Sequence, residues 1–110
     1  MGQELRSIVL EDEEFEQAAG LYFDQQPDQQ VRSGNILAVE LPEGADRGGT
    51  IQLRDPLVDG QTQVAIVKEQ MIDMIVAFCK DRAIPLPKSG RKAVVRRNNR
   101  TILEIELDWF

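Results

Sequence analysis

The sequence predicts an α+β protein with a small antiparallel sheet that ends in a C-terminal β-hairpin. One long amphipathic helix packs on one face of this sheet, and a shorter helix lies near the N-terminus. Apolar residues at helical spacing in 67–83 and alternating apolar residues around Asn98 and Asn99 predict these elements. A length of 110 residues suits about one small domain. We therefore expect one domain over 1–110, with a compact core at 36–110 and an acidic helix plus polar linker, mobile or docked, at 1–35.

The composition is typical of a soluble globular protein rather than a membrane protein. Hydrophobic residues make up 42% and charged residues 29% of the chain, and the apolar runs are too short to span a bilayer. Acids near the N-terminus occupy the place where a signal peptide carries basic residues. A single cysteine, Cys79, cannot form an internal disulfide and fits a reducing compartment. We expect a cytoplasmic location.

The charge is unevenly distributed along the chain. The net charge is -6, and residues 1–30 contain eight acids but a single cation, Arg6. By contrast, 88–100 contains no acid, and its six cations are Lys88, Arg91, Lys92, Arg96, Arg97 and Arg100. This asymmetry favours either pairing with a partner protein or neutralisation within the fold.

The N-terminal half contains one predicted helix and two predicted strands. Residues 12–23 place Phe15, Ala18, Ala19 and Tyr22 on one helix face, with Asp12 as the N-cap. Residues 24–35 are polar and predict a linker. The β-prone runs 35–41 and 49–55 predict an antiparallel pair of strands, and 62–67 predicts a further short strand.

The long helix, which starts near Lys68 and ends near Ala83, has an apolar face that is wider than a helix on one sheet requires. Its main stripe consists of Val67, Met71, Met74, Ile75 and Phe78. Ile72, Val76 and Cys79 widen that stripe, so another element must cover them. The short helix or a second copy of the chain in a homodimer could do so, and we treat these three residues as a candidate interaction surface.

Two prolines separate this helix from the hairpin. Pro85 and Pro87 end the helix near Ala83 and favour an extended segment in which Ile84 and Leu86 cover one end of the core. Beyond them, a tight turn at Asn98–Asn99 predicts that 91–97 pairs with 100–109. In that register Val94, Leu103, Ile105, Leu107 and Trp109 face the core, and Arg91 lies opposite Glu106.

The segment FCKDRAIPLPKSGRK, residues 78–92, resembles small uncharacterised bacterial proteins. In those proteins a cysteine-bearing helix is followed by Ile-Pro-Leu-Pro and then by a cluster of basic residues. The resemblance covers about the last forty residues of the chain. It implies no particular activity.

No motif in the sequence predicts catalysis, a metal or a cofactor. The chain has no histidine, and neither of its glycine-containing loops has the spacing that holds phosphates. The acids at 11–16 point in different directions around a helix and cannot converge on one ion. Cys79 lies in an apolar arc, which favours an inert buried thiol.

The composition and charge favour a non-enzymatic protein–protein interaction or adaptor module, whose partner is another protein or a second copy. The alternative is a nucleic-acid-binding accessory protein that uses the basic hairpin 88–100. No aromatic residue lies among those cations to stack on bases, and the net charge is negative, so nucleic acid is disfavoured. A small carboxylate-dependent enzyme is the third hypothesis.

Overall fold

The computed structural model describes residues 2–25, 36–55, 60–87 and 89–109. The strands are β1 (Gly2–Leu10), β2 (Ile36–Glu40), β3 (Gly44–Ala45), β4 (Gly49–Asp55), β5 (Gly60–Ile66), β6 (Arg91–Arg97) and β7 (Arg100–Trp109). The helices are α1 (Asp12–Asp24) and α2 (Lys68–Asp81). The predictions for most of the linker, Lys88 and the side chain of Trp109 lie outside the described residues.

The strands form two antiparallel sheets, which confirms the α+β class but corrects the prediction of one sheet. The four-stranded sheet has the order β1-β7-β6-β3, and the three-stranded sheet has the order β2-β4-β5. The strands predicted at 35–41, 49–55 and 62–67 are β2, β4 and β5. They pair among themselves because short antiparallel connections favour neighbours in sequence.

The C-terminal hairpin has the predicted register. Val94 pairs with Leu103, and Arg91 pairs with Glu106. The turn residues Asn98 and Asn99 have φ angles of 54° and 61°, so both adopt the left-handed conformation that asparagine tolerates. The hairpin is therefore determined by local sequence: a two-residue turn sets which side chains face the core.

Strand β1 is the main element that the sequence analysis missed. It pairs with β7 along its whole length, from Gly2 opposite Trp109 to Leu10 opposite Thr101. Leu10 is buried, as are Phe15 and Phe23 of α1. The core therefore includes residues before position 36, and the predicted start of the core at that position is corrected.

The two helices pack against each other, and their buried faces meet residues from both sheets. The core cluster contains Leu10, Phe15, Ala18, Ala19, Phe23, Ile51, Leu53, Ile66, Met71, Met74, Ile75, Phe78, Cys79, Val94, Leu103 and Ile105. The helices have 13 and 14 residues, so the predicted contrast between a short and a long helix is small. Val67, placed in the apolar stripe by its spacing, is instead the N-cap of α2 and 55% exposed.

Helix α2 ends in a Schellman motif. The N–H of Ile84 donates to the carbonyl of Cys79 at 2.8 Å, and the N–H of Ala83 donates to the carbonyl of Lys80 at 3.2 Å. Ala83 has a φ of 56°, a conformation in which glycine is the usual residue because a Cβ crowds the following carbonyl. The chain therefore turns out of the helix before Pro85 through a strained alanine.

Replacing Ala83 with glycine is expected to stabilise the protein. The glycine removes the Cβ crowding but adds freedom to the unfolded chain, so we expect a net gain of about 0.5–1 kcal/mol in the free energy of unfolding. Ala77→Gly, the same change inside α2, should destabilise by about 1 kcal/mol. Urea denaturation measures both changes, and shifts of the same sign would contradict the assignment of Ala83 as the left-handed cap.

Candidate functional site

A groove lies between α2, the proline segment that follows it, and β6. It has a volume of about 460 Å³ and is lined by Ile72, Asp73, Val76, Lys80, Leu86, Pro87 and Lys92. We call this surface the α2 groove. Helix α2 supplies four of these residues because positions 72, 73, 76 and 80 follow helical spacing along one side. The proline segment forms a second wall because Pro85 and Pro87 prevent it from continuing the helix.

The three residues of the predicted interaction surface differ in their exposure to solvent. Ile72 and Val76 are partly exposed and line the α2 groove, whereas Cys79 is completely buried. Burial raises the pKa of the Cys79 thiol because the charged thiolate is poorly solvated there. Cys79 is therefore part of the core and not of an exposed surface, and its thiolate fraction is reduced.

Helix α1 covers part of the apolar face of α2. The two helices are in contact, and Arg82, just beyond α2, donates from Nη2 to Oε1 of Gln17 at 2.6 Å. The Arg82 guanidinium also lies 4.9 Å above the ring of Phe78. Of the two coverings considered for the wide apolar face, α1 thus accounts for at least part.

The proline segment only partly fulfils the prediction made for it. Leu86 packs against the core cluster and lines the α2 groove. Ile84, which was expected to share that role, is one of the large exposed hydrophobic residues. The difference follows from the Schellman motif, which uses the N–H of Ile84 and sets its direction before the extended segment begins.

Several cations of the predicted basic patch pair with acids of the same chain. Arg91 contacts the carboxylate of Glu106 across the hairpin, and Arg100 lies 2.9 Å from Glu11. Arg96 pairs with Asp12 at 2.6 Å. The acids near the start of α1 thus face the end of the basic hairpin. This arrangement is the internal neutralisation that the charge asymmetry allowed.

Arg96 is the most enclosed of these cations. Its side chain is 10% exposed, and its Nη1 donates both to Oδ1 of Asp12 and, at 3.1 Å, to the hydroxyl of the buried Thr101. Asp12 is the N-cap of α1 that the sequence predicts, but Glu11 occupies that position in the structure. The backbone N–H of Glu11 donates to the side chain of Glu14 at 3.0 Å. The carboxylate of Asp12 instead pairs with Arg96.

The other cations of the patch differ in their surroundings. Lys92 is partly buried and lines the α2 groove, together with Lys80 from the helix. Arg97 is exposed beside the hairpin turn. The described part of the patch therefore contains three ion-paired arginines, an exposed arginine and a lysine in the groove, and it does not form a uniform phosphate-binding strip.

Asp46 is a structural residue that the sequence analysis did not find. Its N–H donates to the carbonyl of Val94 at 2.6 Å, and its carboxylate accepts from the N–H of Val94 at 3.1 Å. Asp46 directly follows the two-residue strand β3, and its φ of 54° lies in the left-handed region. An aspartate among glycines in the loop 42–49 was a turn signal, but the partner, Val94, is distant in sequence.

The described residues show neither a cluster of three potential metal ligands nor a helix that is long and apolar enough to span a membrane. Comparison with known proteins gave no match to a protein-family model, a curated protein or a solved structure.

Proposed function

We propose that this chain is a non-enzymatic cytoplasmic protein–protein interaction module that binds a segment of a partner protein in the α2 groove. The observation that carries the proposal is the partial exposure of Ile72 and Val76 in a groove whose other wall is Leu86 and Pro87. Apolar side chains that line a concave surface bind ligands by removing apolar area from water.

The charges around the groove specify the kind of segment that fits. Lys80 and Lys92 contribute two positive charges to the lining, and Asp73 contributes one negative charge. The groove therefore favours an apolar segment that also carries acidic residues, because complementary charges increase both specificity and the rate of association.

Nucleic-acid binding through the basic hairpin is the weaker proposal. Arg91, Arg96 and Arg100 already contact carboxylates, so phosphate binding would have to displace those partners. Retention on DNA that falls steeply with salt would favour this alternative. A carboxylate-dependent enzyme has less support still, because Glu106, Asp12 and Glu11 are the carboxylates that pair with these three arginines.

The groove is tested by comparing purified full-length variants as bait for interacting proteins. Val76→Glu introduces a negative charge into the groove and should abolish specific retention, whereas Val67→Glu makes the same change at an exposed site outside the groove. We expect wild type and Val67→Glu to retain the same proteins, and Val76→Glu to lose them by at least about tenfold. Identical retention by all three would overturn the groove as the binding site.

A second pair of variants covers the case in which Val76→Glu fails to fold. Lys80→Glu reverses a charge on the exposed rim of the groove, and Lys68→Glu reverses a charge in the first turn of the same helix. Only Lys80→Glu should weaken retention of an acidic segment. Circular dichroism and thermal denaturation show which variants are folded.

A further inference from the structure

Strand β1 forms one edge of the four-stranded sheet. In the part of the chain that the structure describes, β1 pairs only with β7, so its other side presents backbone N–H and C=O groups without a strand partner. Such an edge is a template for a further strand. Its nine residues exceed the usual strand length of about 5–6 residues, which makes the available edge long.

Several of the features that prevent edge pairing are absent from β1, and the two charged residues that it does contain, Glu4 and Arg6, are of opposite sign. Its register with β7 is continuous from Gly2 to Leu10, so there is no bulge, and the strand contains neither proline nor lysine. Leu5 is 60% exposed and Val9 is 48% exposed. An edge with these properties is either an aggregation site or a specific interface.

The alternation of side chains places Leu5 and its neighbours on opposite faces of the sheet. Ile8 and Leu10 pack toward the core, so Glu4 and Arg6 share their face. Leu5 and Val9 lie on the other face. Glu4 and Arg6 contact each other, and both side chains remain partly exposed. Charges of opposite sign thus flank an exposed leucine on the free edge.

We propose that β1 pairs antiparallel with β1 of a second copy, with Leu5 opposite Leu5. A two-fold axis perpendicular to the sheet keeps the faces of both copies aligned, so the axis must pass through a pair of identical residues. With Leu5 at the axis, Glu4 of each copy lies opposite Arg6 of the other. The strand is therefore complementary to itself in charge, and this complementarity identifies the partner as a second copy.

Neighbouring registers lack this complementarity. An axis through Arg6 places two arginines opposite each other, which is unfavourable. An axis through Ser7 places Arg6 opposite Ile8 and Glu4 opposite Leu10. The register through Leu5 aligns residues 2–8 of both copies and places at its centre the leucine that is most exposed among the described residues.

The resulting assembly joins the two four-stranded sheets into one continuous sheet of eight strands. On the outer face, the Leu5 pair is flanked in each copy by Glu106 and Arg91, which lie in the same cross-strand row and contact each other. This interface uses the edge of β1 and leaves the α2 groove available. The homodimer considered from the sequence would have used the flank of α2 instead.

Two charge reversals test both the interface and its register. Glu4→Arg makes residues 4 and 6 both positive, and Arg6→Glu makes them both negative. Each variant alone should raise the dimer Kd by at least about tenfold, because like charges then face each other at both positions. An equimolar mixture of the two variants should restore wild-type affinity, because every charge then faces its opposite.

Sedimentation equilibrium of the full-length proteins measures the outcome, and circular dichroism confirms that each variant is folded. A wild-type chain that stays monomeric at high micromolar concentration would overturn the proposal. Single variants that dimerise as well as wild type, or a mixture that stays monomeric while wild type dimerises, would overturn the Leu5 register. Because the α2 groove is not involved, Lys80→Glu, at an exposed position of that groove, should dimerise like wild type, which separates this test from that of the proposed function.

Discussion

Replacement of Phe78 with alanine is expected to lower the free energy of unfolding by about 3–5 kcal/mol. The Phe78 side chain is almost completely buried and belongs to the core cluster shared by α1, α2 and both sheets. Its loss leaves a cavity at this junction and also removes the ring over which Arg82 lies. A loss of this size is a large part of the total stability of a small domain.

The matched control is Asp73→Ala on the exposed side of the same helix. This change should alter the free energy of unfolding by no more than about 0.5 kcal/mol, because it removes no buried contact. Urea denaturation of both variants gives the comparison. Similar midpoints for the two variants would show that the buried face of α2 is assigned incorrectly.

The local elements of this fold could be predicted because each has a short-range signal. Asn98 and Asn99 set the hairpin register, and the spacing of Phe15 and Ala18 identifies α1. Strand β1 gave no such signal: it alternates charged and apolar residues only in part, and its partner β7 lies at the other end of the chain. Strand β3 has two residues and depends on Asp46 contacting Val94.

In the candidate site too, features set by neighbouring residues could be predicted, whereas contacts between residues distant in sequence could not. Helical spacing correctly placed Ile72 and Val76 together on one side of α2. It could not show that Lys92 of β6 reaches the same groove. The charge asymmetry indicated internal pairing, but the partners Asp12 and Arg96 are separated by most of the chain, so only the three-dimensional structure identifies them.

Replacement of Gly90 with alanine is the second change for which we expect a large loss of stability. Gly90 has a φ of 127°, which residues with a side chain rarely adopt. A Cβ at this position would lie 2.8 Å from Cδ2 of Leu107, 2.9 Å from Cγ2 of Ile105 and 3.0 Å from the carbonyl of Glu106. Backbone strain and overpacking each contribute about 1–3 kcal/mol, so we expect a loss of about 2–4 kcal/mol.

The position of Gly90 explains why this effect should extend beyond its own loop. Gly90 connects the proline segment, which forms one wall of the α2 groove, to β6, which contributes Lys92 to that groove. Ile105 is completely buried and cannot move aside, so the added methyl group must displace the loop from β7.

Ser89→Ala, one residue earlier at an exposed site, should change the free energy of unfolding by no more than about 0.5 kcal/mol. Equal urea midpoints for Gly90→Ala and Ser89→Ala would mean that this close approach to β7 is not needed for folding, and that the connection into the hairpin tolerates a side chain.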